Sequence, residues 1–269
     1  MRRPVAVASS SLPRRAAWYS RAMLSGKRAL VTGGTGGIGH AIARSLGGAG
    51  AEVIVTGRDA TTLERTARDL GATPRRVDLA ERADVEALAA AVGAIDVLVN
   101  NAGVAESAPL ARTTDDAWDR AIAVNVTAPF VLCRALMPAM MKRGWGRVIN
   151  VASNAGLVGY AYTSAYVASK HAVVGLTRAL AKEAGASGVT VNAVCPGFVD
   201  TPMTARSAGN IADKTGGTVD EARARLAAMT PQRRLFTPDE VAALVLVLAS
   251  PSAPGISGAA IPLDGGQTA

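Results

Sequence analysis

The chain is poor in the residues that ligate metals and stack on nucleobases. Its 269 residues include two histidines, two cysteines, three tryptophans, four tyrosines and three phenylalanines. His40, His171, Cys133 and Cys195 share no metal-type spacing, so no metal site is expected. The two cysteines lie in apolar surroundings and read as buried thiols of a reducing compartment. No stretch approaches about 18 uninterrupted apolar residues, which argues against a membrane-spanning helix. The N-terminus also lacks an apolar core of about 7–15 residues, which argues against a secretory signal.

Acidic residues are missing from residues 1–28, which hold seven basic ones: Arg2, Arg3, Arg14, Arg15, Arg21, Lys27 and Arg28. The rest of the chain carries 22 basic and 21 acidic residues, so the net charge of +8 belongs to the tail. With no basic stripe interleaved with aromatics, a nucleic-acid partner is not expected. The tail "MRRPVAVASSSLPRRAAWYSRA" is rich in Arg and Ser, the composition of a mitochondrial transit peptide. Met23 could equally be the natural start. Residues 1–22 therefore read as a dispensable tail, a targeting segment or a structured arm. The expected location is cytoplasmic, or mitochondrial if the tail is a transit peptide.

What is present is apolar and periodic. Hydrophobic residues make up 49% of the chain and mean hydropathy is +0.22. Short β-rich runs at 28–32, 52–56, 96–100, 147–153, 190–196 and 259–264, with a weaker one near 75–78, alternate with helical patterns. The helices fall around 38–49, 59–70, 81–92, 114–142, 165–186 and 238–249. Near-continuous apolar strands between helices imply a parallel sheet covered on both faces. The expectation is one α/β domain over residues 23–269, a three-layer, doubly wound sheet. Residues 201–236 read as a long irregular stretch with a short helical pattern at 219–228, as in a lid or binding loop.

"LVTGGTGGIGHAIA" (30–43) runs from the first strand through a Gly-rich turn into a helix. Such a turn lets the backbone approach a pyrophosphate, which then rests on the positive end of the helix. The glycines fit two frames, Gly34/Gly36/Gly39 and Gly33/Gly37/Gly39, and either marks a dinucleotide-binding Rossmann fold. The second strand ends "VTGRD": Gly57 stands where NAD-binding chains place a ribose-binding acid, and the guanidinium of Arg58 follows. Asp59 either accepts the ribose bonds after a one-residue shift or caps the next helix. NADP(H) is the favoured cofactor over NAD(H).

With "TGGTGGIG" at 32–39, "NNAG" at 100–103 and "YVASK" at 166–170, the chain resembles the short-chain dehydrogenase/reductase family from about Leu24 to its end, and within it the 3-oxoacyl-(acyl-carrier-protein) reductase-like members. The resemblance implies a catalytic set of Asn125, Ser153, Tyr166 and Lys170. Tyr166 follows Ser153 by 13 residues and Asn125 by 41, spacings the family shares. It implies cofactor contacts from Gly33, Thr35, Gly37, Ile38 and Gly39 in the phosphate loop. It further assigns Asp78 to the adenine, Leu79 beside it to the cofactor site, and Asn101, Ala102 and Gly103 to the adenosine ribose. Pro196, Gly197, Val199 and Thr201 belong to the segment that holds the nicotinamide. One departure stands out: many NADP-dependent members carry a basic residue in the Gly loop, where this chain has Gly36.

The same resemblance implies that Tyr166 exchanges a proton with the substrate oxygen while Ser153 hydrogen-bonds it. A free phenol is only about one part in a thousand ionised at neutral pH. Lys170 is therefore expected to lower the Tyr166 pKa and to hold the nicotinamide ribose, with Asn125 anchoring a water beside it. His171 reads as a helix-face neighbour. Residues flanking this chemistry (Val104 to Glu106, Asn154 to Val158, Tyr160, Tyr162, Phe198, Met203) are mostly apolar, with no Arg or Lys placed to hold a small carboxylate. The expected substrate is a ketone or secondary alcohol on a hydrophobic or carrier- or CoA-bound chain: a 3-oxoacyl thioester or a polyketide. Steroid-like, cyclic or sugar alcohols are the alternatives, and a cofactor-binding regulator without turnover is the reading from another class. A homotetramer is expected.

Overall fold

The computed structural model describes residues 22–269, so the expectations for the basic tail lie outside the described residues. Seven parallel strands form one sheet in the order β3-β2-β1-β4-β5-β6-β7. They are β1 (Arg28–Val31), β2 (Glu52–Gly57), β3 (Thr73–Arg76), β4 (Val97–Asn100), β5 (Gly146–Val151), β6 (Val189–Pro196) and β7 (Ala260–Leu263). The order reverses between β1 and β4, which opens a crevice at the carboxyl ends of the strands. Helices α1 (Gly37–Gly48), α2 (Ala60–Leu70), α3 (Arg82–Ala91), α4 (Asp115–Ile122), α5 (Ala128–Arg143), α6 (Ser164–Ala184), α7 (Pro202–Thr215), α8 (Val219–Ala228) and α9 (Pro238–Ala249) complete the fold.

Side chains alternate across each strand, so one apolar run feeds two cores. Val31, Val55, Val99 and Ile149 face Ile42 and Leu46 of α1 and Val241 and Val245 of α9. Leu30, Ile54, Leu98 and Val148 face Val85 and Leu88 of α3 and Leu132, Leu136 and Met140 of α5. Polar residues stop the helices where the sequence signals it. Asp59 accepts from the Thr62 N–H at the start of α2, and Gly71 ends that helix at φ +62°. Thr237 and Glu240 form a reciprocal capping box on α9, with Pro238 in its first turn.

The helix read over 114–142 is present as one continuous rod, α4 and α5 being joined by a π-helical turn at Ala123–Thr127. One expectation is corrected. The stretch at 201–236 is mostly helical: the short pattern at 219–228 is α8, and α7 precedes it where only irregular chain was expected. Its Thr, Ala and Gly content suggests a loop, but Thr201 and Thr218 cap helices, and Ala208 and Ala212 on α7 pack closely on Ala222 and Leu226 of α8. The excursion is closed at its base. Phe236 N–H donates to Phe198 O at 2.9 Å, and Asp200 N–H donates to Phe236 O at 2.8 Å.

Candidate active site

Every segment singled out from the sequence ends at the carboxyl edge of the sheet. The Gly loop follows β1, Gly57–Asp59 closes β2, Asn101–Gly103 follows β4, Ser153 follows β5 and Gly197–Thr201 follows β6. This convergence is a product of parallel topology, because every parallel strand delivers its next loop to the same edge.

The Gly loop fits a pyrophosphate. Gly33 and Gly37 take φ of +66° and +52°, and a Cβ on Gly39 would sit 2.2 Å from the Gly33 carbonyl oxygen. Gly36 caps α1 without any side-chain bond, and the first turn of that helix has no acid, so its N–H groups present a positive end. Asn101 braces the loop: its Nδ2 donates to Thr32 O at 2.9 Å and Gly33 O at 3.2 Å. Across the crevice, Thr201 caps α7 and lies 3.2 Å (Cγ2) from where a Gly37 Cβ would be. Val199 is buried, and its carbonyl accepts from Thr204 Oγ1. Gly197 packs against Asp264, where an added Cβ would meet Asp264 Cβ at 3.1 Å.

At the adenosine end, Asp59 is taken by its cap: Oδ1 accepts from the Thr62 N–H at 2.8 Å. The Thr62 bonds hold its carboxyl below the usual range, with Arg65 and Arg76 adding to the effect. Of the two readings of Asp59, the cap is the one formed. Gly57 has no room for an acid, since a Cβ there would lie 2.5 Å from Thr35 Cγ2. Arg58 is exposed beside them. Asp78 accepts from the Ala80 N–H at 3.0 Å, and Leu79 packs into the core with Val77 and Val85.

The four expected catalytic side chains come from the loop after β5, from α6 and from the π-helical turn, and a Cβ on Gly103 would meet Asn125 Oδ1 at 3.3 Å and Lys170 Nζ at 3.5 Å. That turn carries Asn125 inward, where Oδ1 accepts from Val104 N–H and Nδ2 donates to Val104 O and to Ser169 Oγ, all at 2.9 Å. Ser169 is fully buried and also donates to Tyr166 O at 2.7 Å. Sequence reading passed over Ser169; the signal was a polar residue inside "YVASK" on the buried side of an apolar helix. Ser153 Oγ accepts from Ala155 N–H at 3.1 Å and has two long donor contacts, to Asn154 Oδ1 at 3.4 Å and Pro196 O at 3.5 Å. Burial raises the Tyr166 phenol above its ordinary pKa, and the Ser153 hydroxyl offsets part of that rise.

Lys170 lies buried behind Tyr166. Its Nζ donates to Val151 O at 2.9 Å and stands 5.7 Å from the Tyr166 ring centre. Burial pushes its pKa down to about 8. Desolvation works against the charged form of each group, raising the phenol and lowering the ammonium, which at about 8 still holds its proton at neutral pH. A phenol that stays protonated is the form required of a proton donor.

A cleft runs from Tyr166 along Val104, Glu106, Ala108, Ala117 and Tyr162 to Arg112. Its walls mix alanine and valine with Ser107, Thr113, Thr114 and Ser164, and Arg112, with Glu106 in the same lining, corrects the expectation that no Arg or Lys is placed to hold a small carboxylate. The sequence concealed it because the 3-10 turn at Leu110–Arg112 folds back toward α6. Asn154 instead faces the C-terminal segment, donating to Gln267 Oε1 at 3.0 Å. Phe198 packs edge-on against Tyr160 at 6.4 Å. Cys133 and Cys195 are buried free thiols, raised by burial to about 12 and about 11.

A sequence profile of the short chain dehydrogenases matches residues 27–211. The chain belongs to the short-chain dehydrogenase family. It is 40% identical over 257 residues to D-beta-hydroxybutyrate dehydrogenase of Cupriavidus necator, covering 92% of this chain and 100% of that one. It is likewise 40% identical over 251 residues to a 3-oxoacyl-(acyl-carrier-protein) reductase of Vibrio harveyi, covering 91% and 98%. Among solved structures, a point-substituted actinorhodin polyketide ketoreductase with NADPH superposes with a TM-score of 0.86, at 40% identity, covering 90% of this chain and 97% of that one. The short-chain dehydrogenase described here is an oxidoreductase of the ketoreductase type, interconverting a ketone and a secondary alcohol.

Proposed function

We propose that this short-chain dehydrogenase reduces a 3-oxoacyl thioester or polyketide-type ketone with NADPH as the preferred cofactor, as a homotetramer. The carrying observation is the end of β2. Gly57 cannot host a ribose-binding acid against Thr35, Asp59 is committed to capping α2, and Arg58 stands exposed beside them. A guanidinium there recognises a 2′-phosphate by charge-assisted hydrogen bonds.

The Gly33–Gly39 loop and the Gly197–Thr201 segment would hold a nicotinamide cofactor, whose reduced ring would supply the hydride. Tyr166 gives its phenolic proton to the carbonyl oxygen, and Ser153 donates a hydrogen bond that stabilises charge on that oxygen. Lys170 keeps a positive charge beneath the site while it is protonated, and Asn125 fixes the loop after β4 that forms one wall. The mixed cleft, with apolar wall at Val104, Ala108 and Ala117 and polar groups at Thr113 and Ser164, suits a thioester arm. Exposed Trp118 and Phe130 on α4 and α5 support association through the outer face of those helices.

Arg112 favours a second reading, oxidation or reduction of a short 3-oxo or 3-hydroxy acid whose carboxylate meets the guanidinium. Initial rates with acetoacetyl-N-acetylcysteamine, acetoacetate and ethyl acetoacetate, each with NADPH and NADH, decide between the two. Preference for the thioester with NADPH supports the first reading. Preference for acetoacetate establishes the second, and preference for NADH removes the cofactor assignment. A monomer by light scattering at micromolar concentration would remove the tetramer.

A further inference from the structure

Two adjacent strand ends present guanidinium groups to the adenosine end of the crevice. Arg76 closes β3 in register with Gly57 of β2. Its Nε donates to the backbone carbonyl of Arg58 at 3.0 Å. That bond fixes the guanidinium beside the Arg58 backbone while leaving both terminal nitrogens uncommitted. Among the described residues, no carboxylate lies within ion-pair distance of Arg58 or Arg76. Asp59, a nearby acid, is engaged by Thr62 and feels Arg76 only through space.

A phosphate monoester carries close to two negative charges near neutral pH, which one arginine does not match. The Gly loop offers no cation to share the load: Gly36 faces open space. We propose that Arg76 is a specificity-determining residue, forming with Arg58 a two-guanidinium clamp for the cofactor's 2′-phosphate in place of the missing Gly-loop cation. This rests on the NADPH reading above. The backbone bond from Nε makes Arg76 a preset half of the clamp, because only the Arg58 side chain must then be ordered on binding.

The test is calorimetric titration of the full chain with 2′,5′-ADP and with 5′-AMP, comparing wild type, Arg76→Gln, Arg76→Lys and Arg58→Gln. Arg76→Gln is expected to weaken 2′,5′-ADP by about tenfold or more while leaving 5′-AMP within about twofold, the scale of hydrogen bonds to a charged group. Arg76→Lys should fall between, keeping the charge but losing the fork and its backbone bond. Equal weakening of both ligands by Arg76→Gln, or no weakening of 2′,5′-ADP, overturns the clamp. If Arg58→Gln alone abolishes the preference for 2′,5′-ADP, the clamp is wrong and the NADPH reading stands. If the wild type binds the two ligands equally, the NADPH reading fails and the clamp with it.

Discussion

The amide of Asn125 pairs with both polar groups of Val104, accepting from its N–H and donating to its carbonyl, each at 2.9 Å. A side chain thus replaces a strand neighbour for the loop that leaves β4. The extra residue of the π-helical turn at Ala123–Thr127 is what rotates Asn125 inward, a common use of such turns at functional sites. Asn125→Ala leaves two backbone groups without partners. A loss of about 1–3 kcal/mol in unfolding free energy is expected, with a larger fall in kcat than in cofactor affinity. Denaturant titration and steady-state kinetics check this; wild-type kcat would remove Asn125 from the positioning of the site.

Tyr166→Phe removes one oxygen from a side chain whose burial keeps it protonated. Turnover should fall by about 100-fold or more, the scale of general acid catalysis. NADPH binding, followed by fluorescence, should be nearly unchanged. Residual activity above about a tenth of wild type is incompatible with Tyr166 as the proton donor, given that scale.

The pH dependence follows from Lys170, whose pKa in the folded protein is depressed to about 8. Reduction should slow as pH rises through about 8, as the positive charge beneath Tyr166 is lost. Stability moves the opposite way. The unfolded chain holds that proton up to its ordinary pKa of about 10.4. Between the two values the unfolded state binds more protons, so unfolding free energy rises with pH across that window. Melting curves of wild type and Lys170→Met from pH 7 upward should converge as the penalty on the buried charge disappears. A pH-independent gap would contradict the assignment.

Arg58→Asp is expected to weaken NADPH by about 2 kcal/mol or more while sparing NADH, since a guanidinium–phosphate bond is exchanged for a repulsion. KM values for both cofactors test it. An equal loss for both would mean that Arg58 supports the fold and not the phosphate.

The α7–α8 excursion separates packing from recognition. Leu226 is buried against Ala208 and Ala212, whereas Met229 is 45% exposed. Leu226→Ala should cost about 2–5 kcal/mol and loosen α8, while Met229→Ala should leave stability unchanged. Differential scanning calorimetry distinguishes them. If Leu226→Ala changed only KM along a chain-length series of 3-oxo esters, Leu226 would line the pocket and not the α7–α8 contact.

Sequence alone determined the class of fold and the order of its elements. Both are local or periodic properties: apolar runs alternating with helices and a Gly-rich turn after β1. The expected roles of Asn125, Ser153, Tyr166 and Lys170 came instead from the family resemblance, because a Tyr–Lys spacing of one helical turn is by itself common. The capping role of Asp59 was also visible, as one of two readings, because a cap is written in neighbouring residues. Tertiary structure decided what depends on distance across the chain. Only the folded sheet brings Arg76 beside Arg58, and only the turn before α4 brings Arg112 to the cleft of Tyr166. Composition hid the helix at 202–215 but not the one at 219–228, since small residues that read as loop are the ones that let two helices approach closely. The direction of the Lys170 and Tyr166 pKa values was out of reach for the same reason. Burial sets them, and burial belongs to the whole fold and not to any stretch of it.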